Sequence, residues 1–171
     1  MSPEQRRYVF IQCGVGAGIA NALINGGLGW LATRGSPQFP VWSIPGVAPD
    51  IVGTAWGVTF GTVLVMAFQV KNDVARGKVS APILSEGLAT FVGRFPRAWF
   101  KQGVLLGCLA VPLFCPPVIL ALWVSGVGAL DRASFVALKA GFAAVEGALV
   151  TPMIVLGFLQ AGVSARRSET T

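Results

Sequence analysis

The sequence predicts an all-α membrane protein, a four-helix transmembrane bundle. Two observations predict it. Hydrophobic residues make up 54% of the 171-residue chain and charged residues only 12%, with a mean hydropathy of +0.70, which is too apolar for an ordinary soluble domain. Four runs, near 9–33, 50–70, 102–127 and 134–162, also meet the about 20 apolar residues a helix needs to cross a roughly 30 Å hydrocarbon core. The runs are continuous, without the alternation of transmembrane β-strands. The whole chain, 1–171, reads as a single transmembrane domain.

The first run follows Arg6 and Arg7 as the core of a signal peptide would. It is too long for one and has no small-residue cleavage site, so it is expected to be a retained span. Within it Gly14, Gly18, Ala22 and Gly26 recur every four residues. Small residues at that spacing let helix backbones approach closely in lipid. Span 2 repeats the device with Gly53, Gly57 and Gly61. Tight packing of spans 1 and 2 on each other is expected, with a homo-oligomer contact as the competing use.

The loop between them, TRGSPQFPVWSIPGVAPD, holds four prolines and is expected to form an ordered, extended cap. Asp50 then opens span 2, where an acid suits the positive end of the helix dipole. Between spans 2 and 3, Ser80 is a candidate N-cap. Ile83, Leu84, Leu88, Phe91, Val92 and Phe95 make an apolar stripe with Ser85, Glu86, Thr90 and Arg94 largely off it, and Arg97 and Lys101 flank it. An interfacial amphipathic helix near 80–95 follows, serving as a gate, a partner dock or a linker in the headgroup region.

Span 3 contains VPLFCPPVIL. Each proline lacks an amide hydrogen and clashes with the carbonyl four residues back, so Pro112, Pro116 and Pro117 are expected to break the helix and free the carbonyls of Cys108, Pro112 and Leu113. Span 4 carries Glu146 at its middle, and Lys139 toward one end. Lys139 would snorkel to the headgroups or pair with Asp50. Thr151 before Pro152 is expected to bond a backbone carbonyl at a kink.

Asn21, Asn25, Thr59 and Thr62 lie at a depth similar to Glu146. A charged carboxyl at mid-membrane costs several kcal/mol, so Glu146 should be protonated or paired. Two readings stay open: a closed polar network that fastens the helices, or a water-lined site where Glu146 takes up a proton or cation with help from the span 3 carbonyls.

Lysine and arginine set the orientation. Arg6, Arg7, Lys71, Arg76, Lys78, Arg94, Arg97, Lys101, Arg166 and Arg167 fall on one side, and Arg34 and Arg132 on the other. Both termini should therefore face the cytoplasm. That bias and anionic lipid account for the net charge of +6, leaving no case for nucleic acid. Tryptophans 30, 42, 56, 99 and 123 lie mainly near span ends, as interfacial anchors do. Cys13, Cys108 and Cys115 all fall within spans and read as small buried hydrophobes. With no histidine and no C-x-x-C pair, neither a metal nor a cofactor is expected, and no nucleophile–base pair has recognisable spacing.

The motifs NALINGGLGWL, APDIVGTAWG, GRFPRAWFKQGVLLG and FVALKAGFAAVEGALVTPMIV, in this order, resemble an uncharacterised group of small bacterial inner-membrane proteins with four transmembrane helices. The marks that match are Asn21, Asn25, Asp50, Pro116, Pro117, Lys139, Thr151 and Pro152. Glu146 is not among them. The resemblance implies a location in a bacterial inner membrane and no particular activity. The functional expectation is an oligomeric transporter or channel for a small solute, proton or cation. Its alternative is a non-catalytic accessory, assembly or lipid-binding subunit, recognisable by a dry polar layer and an exposed small-residue face.

Overall fold

The computed structural model describes residues 1–168 except 81, 83, 85 and 97. The chain is mostly helical, and four of its helices are long and apolar enough to cross a membrane. α1 runs Pro3–Ala32, with a π-helical stretch over Arg7–Val15. It starts six residues before the apolar run because Ser2 and Gln5 cap it reciprocally. The Gln5 amide donates to Ser2 Oγ at 3.2 Å and the Ser2 amide to Gln5 Oε1 at 2.9 Å, with Pro3 at the first helical position.

α2, Val47–Ala75, carries Asp50 in its first turn and outruns the apolar segment by a polar turn. It ends in a Schellman motif. Gly77, at φ +70, donates to Val74 O, and Lys78 donates to Asp73 O; glycine reaches this left-handed conformation without Cβ strain.

α3 is a short helix, Glu86–Gly93. Ser80 does not cap it. Instead Ser80 is held by Gln5, whose Nε2 donates to its carbonyl and hydroxyl at 3.2 and 3.3 Å, while Gln160 donates to Pro82 O at 2.7 Å. Those ties to α1 and to the fourth long helix hold Ser80 and Pro82 outside the helix. Ile83, Ser85 and Arg97 of the expected stripe lie outside the described residues, as do the side chains of Glu86, Leu88 and Val92.

α4, Trp99–Val124, is one uninterrupted helix through Pro112, Pro116 and Pro117, which corrects the expectation of a broken span. A proline removes a single ladder bond, and the bonds on the other sides of the helix persist. All three prolines sit on the exposed side of α4, with Cys115 on the packed side. α5, Arg132–Ser168, is equally continuous through Pro152.

The helices do not pack in chain order. α5 lies centrally, with α1 on one side and α2 on the other; α4 packs on the far side of α2, and α1 and α2 scarcely touch. This overturns the expected pairing of spans 1 and 2. The reason is a second small-residue stripe, Ala140, Ala144 and Ala148, which gives α5 the face that α1 needs. A Cβ built on Gly18 would stand 2.9 Å from Ala144 O and 3.2 Å from Ala148 Cβ, and one on Gly26 would stand 3.2 Å from Ala140 Cβ. A Cβ built on Gly14 would stand 3.3 Å from both Ala148 O and the Pro152 ring. Gly53, Gly57 and Gly61 behave otherwise, since nothing lies within 4 Å of a Cβ built on any of them.

α2 and α4 join through rings over glycines. Trp56 and Phe60 stack at 4.9 Å, and Gly107 and Gly103 pass beneath them with built Cβ atoms 3.0 and 2.8 Å from the rings. Trp56 is thus a packing residue as well as half-exposed, rather than an end anchor.

Where the loop between α1 and α2 meets the loop between α4 and α5, β1 (Gln38–Pro40) pairs antiparallel with β2 (Ala129–Asp131), Phe39 opposite Leu130. The expected extended cap is therefore a strand, tied to a second loop. Phe39 packs on Phe135 with ring centres 4.5 Å apart and planes tilted by 30°. Two apolar cores result, one around Val41, Ile51, Leu122 and Phe135 near the strands and one around Val9, Val70, Ile154 and Leu159 toward the chain termini.

Candidate functional site

Between those cores lies the polar layer, and its members divide into two places. The first is sealed. Glu146 of α5 has no exposure at all, and Thr59 of α2, also fully buried, donates to its Oε1 at 2.7 Å. Among the described residues Oε2 has no partner. The span 3 carbonyls do not come to it: Cys108, Pro112 and Leu113 face outward from α4, because the face of α4 that packs on α2 is the one bearing Gly103, Gly107 and Cys115. Cys108 is thereby exposed, unlike Cys13 and Cys115. The expected constellation of Glu146 with freed backbone is not assembled, because the helix bearing that backbone turns it away.

The second place is open. Because α1 and α2 each lean on α5 and not on each other, they leave a groove of about 740 Å³ between them. Asn21 and Asn25 line it from α1, Gly53, Gly57, Gly61 and Thr62 from α2, and Lys139 from α5. It extends from Gln12 and Gln69 at one end to Asp50 at the other. The 19 residues separating Asp50 and Gln69 correspond to about 28 Å of helix, close to the depth of a hydrocarbon core.

The polar groups of the groove are mostly engaged sideways. Asn21 Nδ2 donates to Ala17 O at 3.0 Å and to Thr62 Oγ1 at 3.3 Å, bridging α1 and α2. Asn25 Nδ2 donates to Asn21 O at 3.1 Å. Neither asparagine reaches Glu146, which lies on the α2 side of α5, whereas the next residue, Gly147, faces Asn21: a Cβ built there would stand 2.6 Å from Asn21 Nδ2. At the strand end of the groove Lys139 Nζ lies 2.5 and 2.6 Å from the two oxygens of Asp50, with Thr54 Oγ1 3.5 Å from Oδ2. The lysine stem packs against Gly29 of α1, and its ammonium is 5.9 Å from the Phe135 ring centre. Lys139 therefore sits among three helices.

Thr151 lies below this layer and donates to Gly147 O at 2.5 Å, the back-bond of a helical threonine to the carbonyl four residues before it. Beyond the groove's other end Tyr8 Oη donates to Asp73 Oδ2 at 2.9 Å, and Lys78 lies 3.4 Å from the same carboxylate's Oδ1. Sequence reasoning missed this tie. Its signal was available, since a tyrosine and an acid flank two apolar runs at corresponding ends.

Among the described residues no three histidines, cysteines or acids come together as metal ligands. The site can bind through shape and hydrogen bonds. No protein-family model, curated protein or solved structure matches the chain.

Proposed function

We propose that the chain is a non-catalytic membrane module, an assembly or accessory subunit, whose working surface is the groove between α1 and α2. The observation that carries this reading is the open stripe of Gly53, Gly57 and Gly61. Glycines spaced by four have no use against fluid lipid, whereas they let another backbone approach to contact distance. The sealed Glu146 fits the same reading, as a polar fastener between α5 and α2. In this proposal the protein is a multi-pass component of a bacterial inner membrane with both termini cytoplasmic. The lysine and arginine bias supports the orientation, and the sequence resemblance supports the compartment.

A second reading, permeation of a small solute, proton or cation, draws on a different observation: Asn21, Asn25, Thr62 and the Asp50–Lys139 pair all line one groove of membrane depth. One experiment separates the two. A nitroxide attached at Ala20→Cys, on the groove rim, is compared in proteoliposomes and native membranes with one at Leu109→Cys on the outer face of α4. The module reading expects the Ala20 label to be shielded from both lipid-soluble oxygen and a water-soluble nickel complex, and the Leu109 label to be open to oxygen. Nickel access at Ala20 favours permeation, and oxygen access equal to that at Leu109 overturns both.

A further inference from the structure

We infer that the occupant of the groove is a second copy of this chain, so that each groove is one half of a site completed by the other subunit. The inference rests on the module reading and names its partner. Three features of the groove select the occupant. It runs the full depth of a hydrocarbon core, as derived above, whereas an acyl chain fills one leaflet; a membrane-spanning helix matches the depth. Its hydrogen-bonding capacity is not used up. Asn25 is only 9% exposed, yet its Oδ1 accepts nothing among the described residues while its side chain lines the groove. A hydrocarbon chain has nothing to donate to that oxygen.

The remaining feature is self-complementarity. Asn25 keeps one amide hydrogen as well as its Oδ1 open, since its Nδ2 donates only to Asn21 O, so this side chain is still both donor and acceptor and can meet its own copy. The groove's one cation and one anion, Lys139 and Asp50, already neutralise each other within the subunit, so two grooves can close face to face without setting uncompensated like charges against each other. Copies inserted with one orientation present parallel helices, and the glycine stripe of α2 can then cross its own counterpart at close range. In that arrangement α2 of each copy seats between α1 and α2 of the other. Gly53, Gly57 and Gly61 form the contact, and Asn21 and Asn25 of both copies face one axis.

The test uses the full chain in liposomes, its three cysteines replaced by alanine, with Gly57→Cys or, as a control, Leu109→Cys under mild oxidation, together with native mass spectrometry of the unaltered protein. The expected result is a disulfide-linked dimer from Gly57→Cys and none from Leu109→Cys, a dimer mass for the unaltered protein, and a shift of about tenfold or more in the dimer–monomer midpoint on lipid dilution for Gly57→Leu. Gly57→Ala, too small to threaten the fold, should shift it in the same direction by less. A dimer that cross-links through Leu109 and ignores Gly57→Leu overturns the inference, since it places the interface on α4. A monomer retaining phospholipid overturns it and the module reading together. A monomer whose Ala20 label is shielded only in native membranes overturns this inference and leaves the module reading standing, with a different polypeptide as partner.

Discussion

Lys139 on α5 and Asp50 on α2 form a two-point contact, the ammonium 2.5 Å from one carboxylate oxygen and 2.6 Å from the other. The lysine is 7% exposed and fixed by the Gly29 approach, and the Asp50 side chain keeps only 25% of its exposure, so a lone charge left there is poorly hydrated. Asp50→Asn or Lys139→Met alone should destabilise the fold by about 3 kcal/mol. The double variant should recover most of that loss, because no unpaired charge remains. Reversible unfolding in mixed micelles, run as a double-mutant cycle, checks this; equal losses in the singles and the double would contradict it.

Gly18 and Gly57 look alike in sequence and should respond oppositely. Gly18→Leu drives a side chain into Ala144 and Ala148 and should cost about 1–3 kcal/mol. Gly57→Leu meets open space and should leave monomer stability within about 0.5 kcal/mol. Unfolding measurements under dilute, monomeric conditions in detergent decide it.

Glu146 and Thr59 form a buried pair with one hydrogen bond. Thr59→Val should cost about 1 kcal/mol, in the range of interhelical hydrogen bonds in membranes. Glu146→Gln keeps the volume and an acceptor for Thr59, and should fold with stability near that of the parent. Proton or cation flux in liposomes should not change with Glu146→Gln. A large loss of flux with intact folding would instead make this carboxyl part of a pathway.

At the strand end, Ser134 donates its backbone amide and its hydroxyl to the two oxygens of Asp131, at 2.9 and 2.7 Å, which holds that exposed carboxyl below the ordinary carboxylate range. A lowered value means the ionised form belongs to the folded state. The cap's contribution is therefore complete above the ordinary carboxylate pKa and disappears as pH falls through the lowered one. Asp131→Ala should be less stable than the parent at neutral pH, and the gap should close on acidification. Melting temperatures of both proteins from neutral to strongly acid pH test this.

Helix number was legible because apolar length alone decides it, and Asp50 and Lys139 could be matched because each sits near the same end of its run. Helix order was not legible. A glycine stripe says that a backbone comes close and is silent about whose, and the answering Ala140, Ala144 and Ala148 look in sequence like ordinary helix filler. Nor do prolines announce their own outcome: whether three of them break a helix depends on how the rest of its ladder holds, and their exposure on α4 depends on which face carries Gly103 and Gly107. The same gap explains Cys108, which reads as core and lies outside. The groove could not have been foreseen, since it exists only because α1 and α2 both choose α5.

Tyr8 and Asp73 join α1 to α2 at one end of that groove, and the β1–β2 ladder gathers the connecting loops at the other. The cleft is thus laced at top and bottom, and between those ends the Asn21–Thr62 hydrogen bond alone is seen to cross it among the described residues. A helix cannot be threaded into it lengthwise and has to arrive edge-on, travelling within the sheet of lipid. For the second copy proposed above, the encounter would be two-dimensional, set by how many copies share a patch of membrane, and dilution of the surrounding water would leave it untouched.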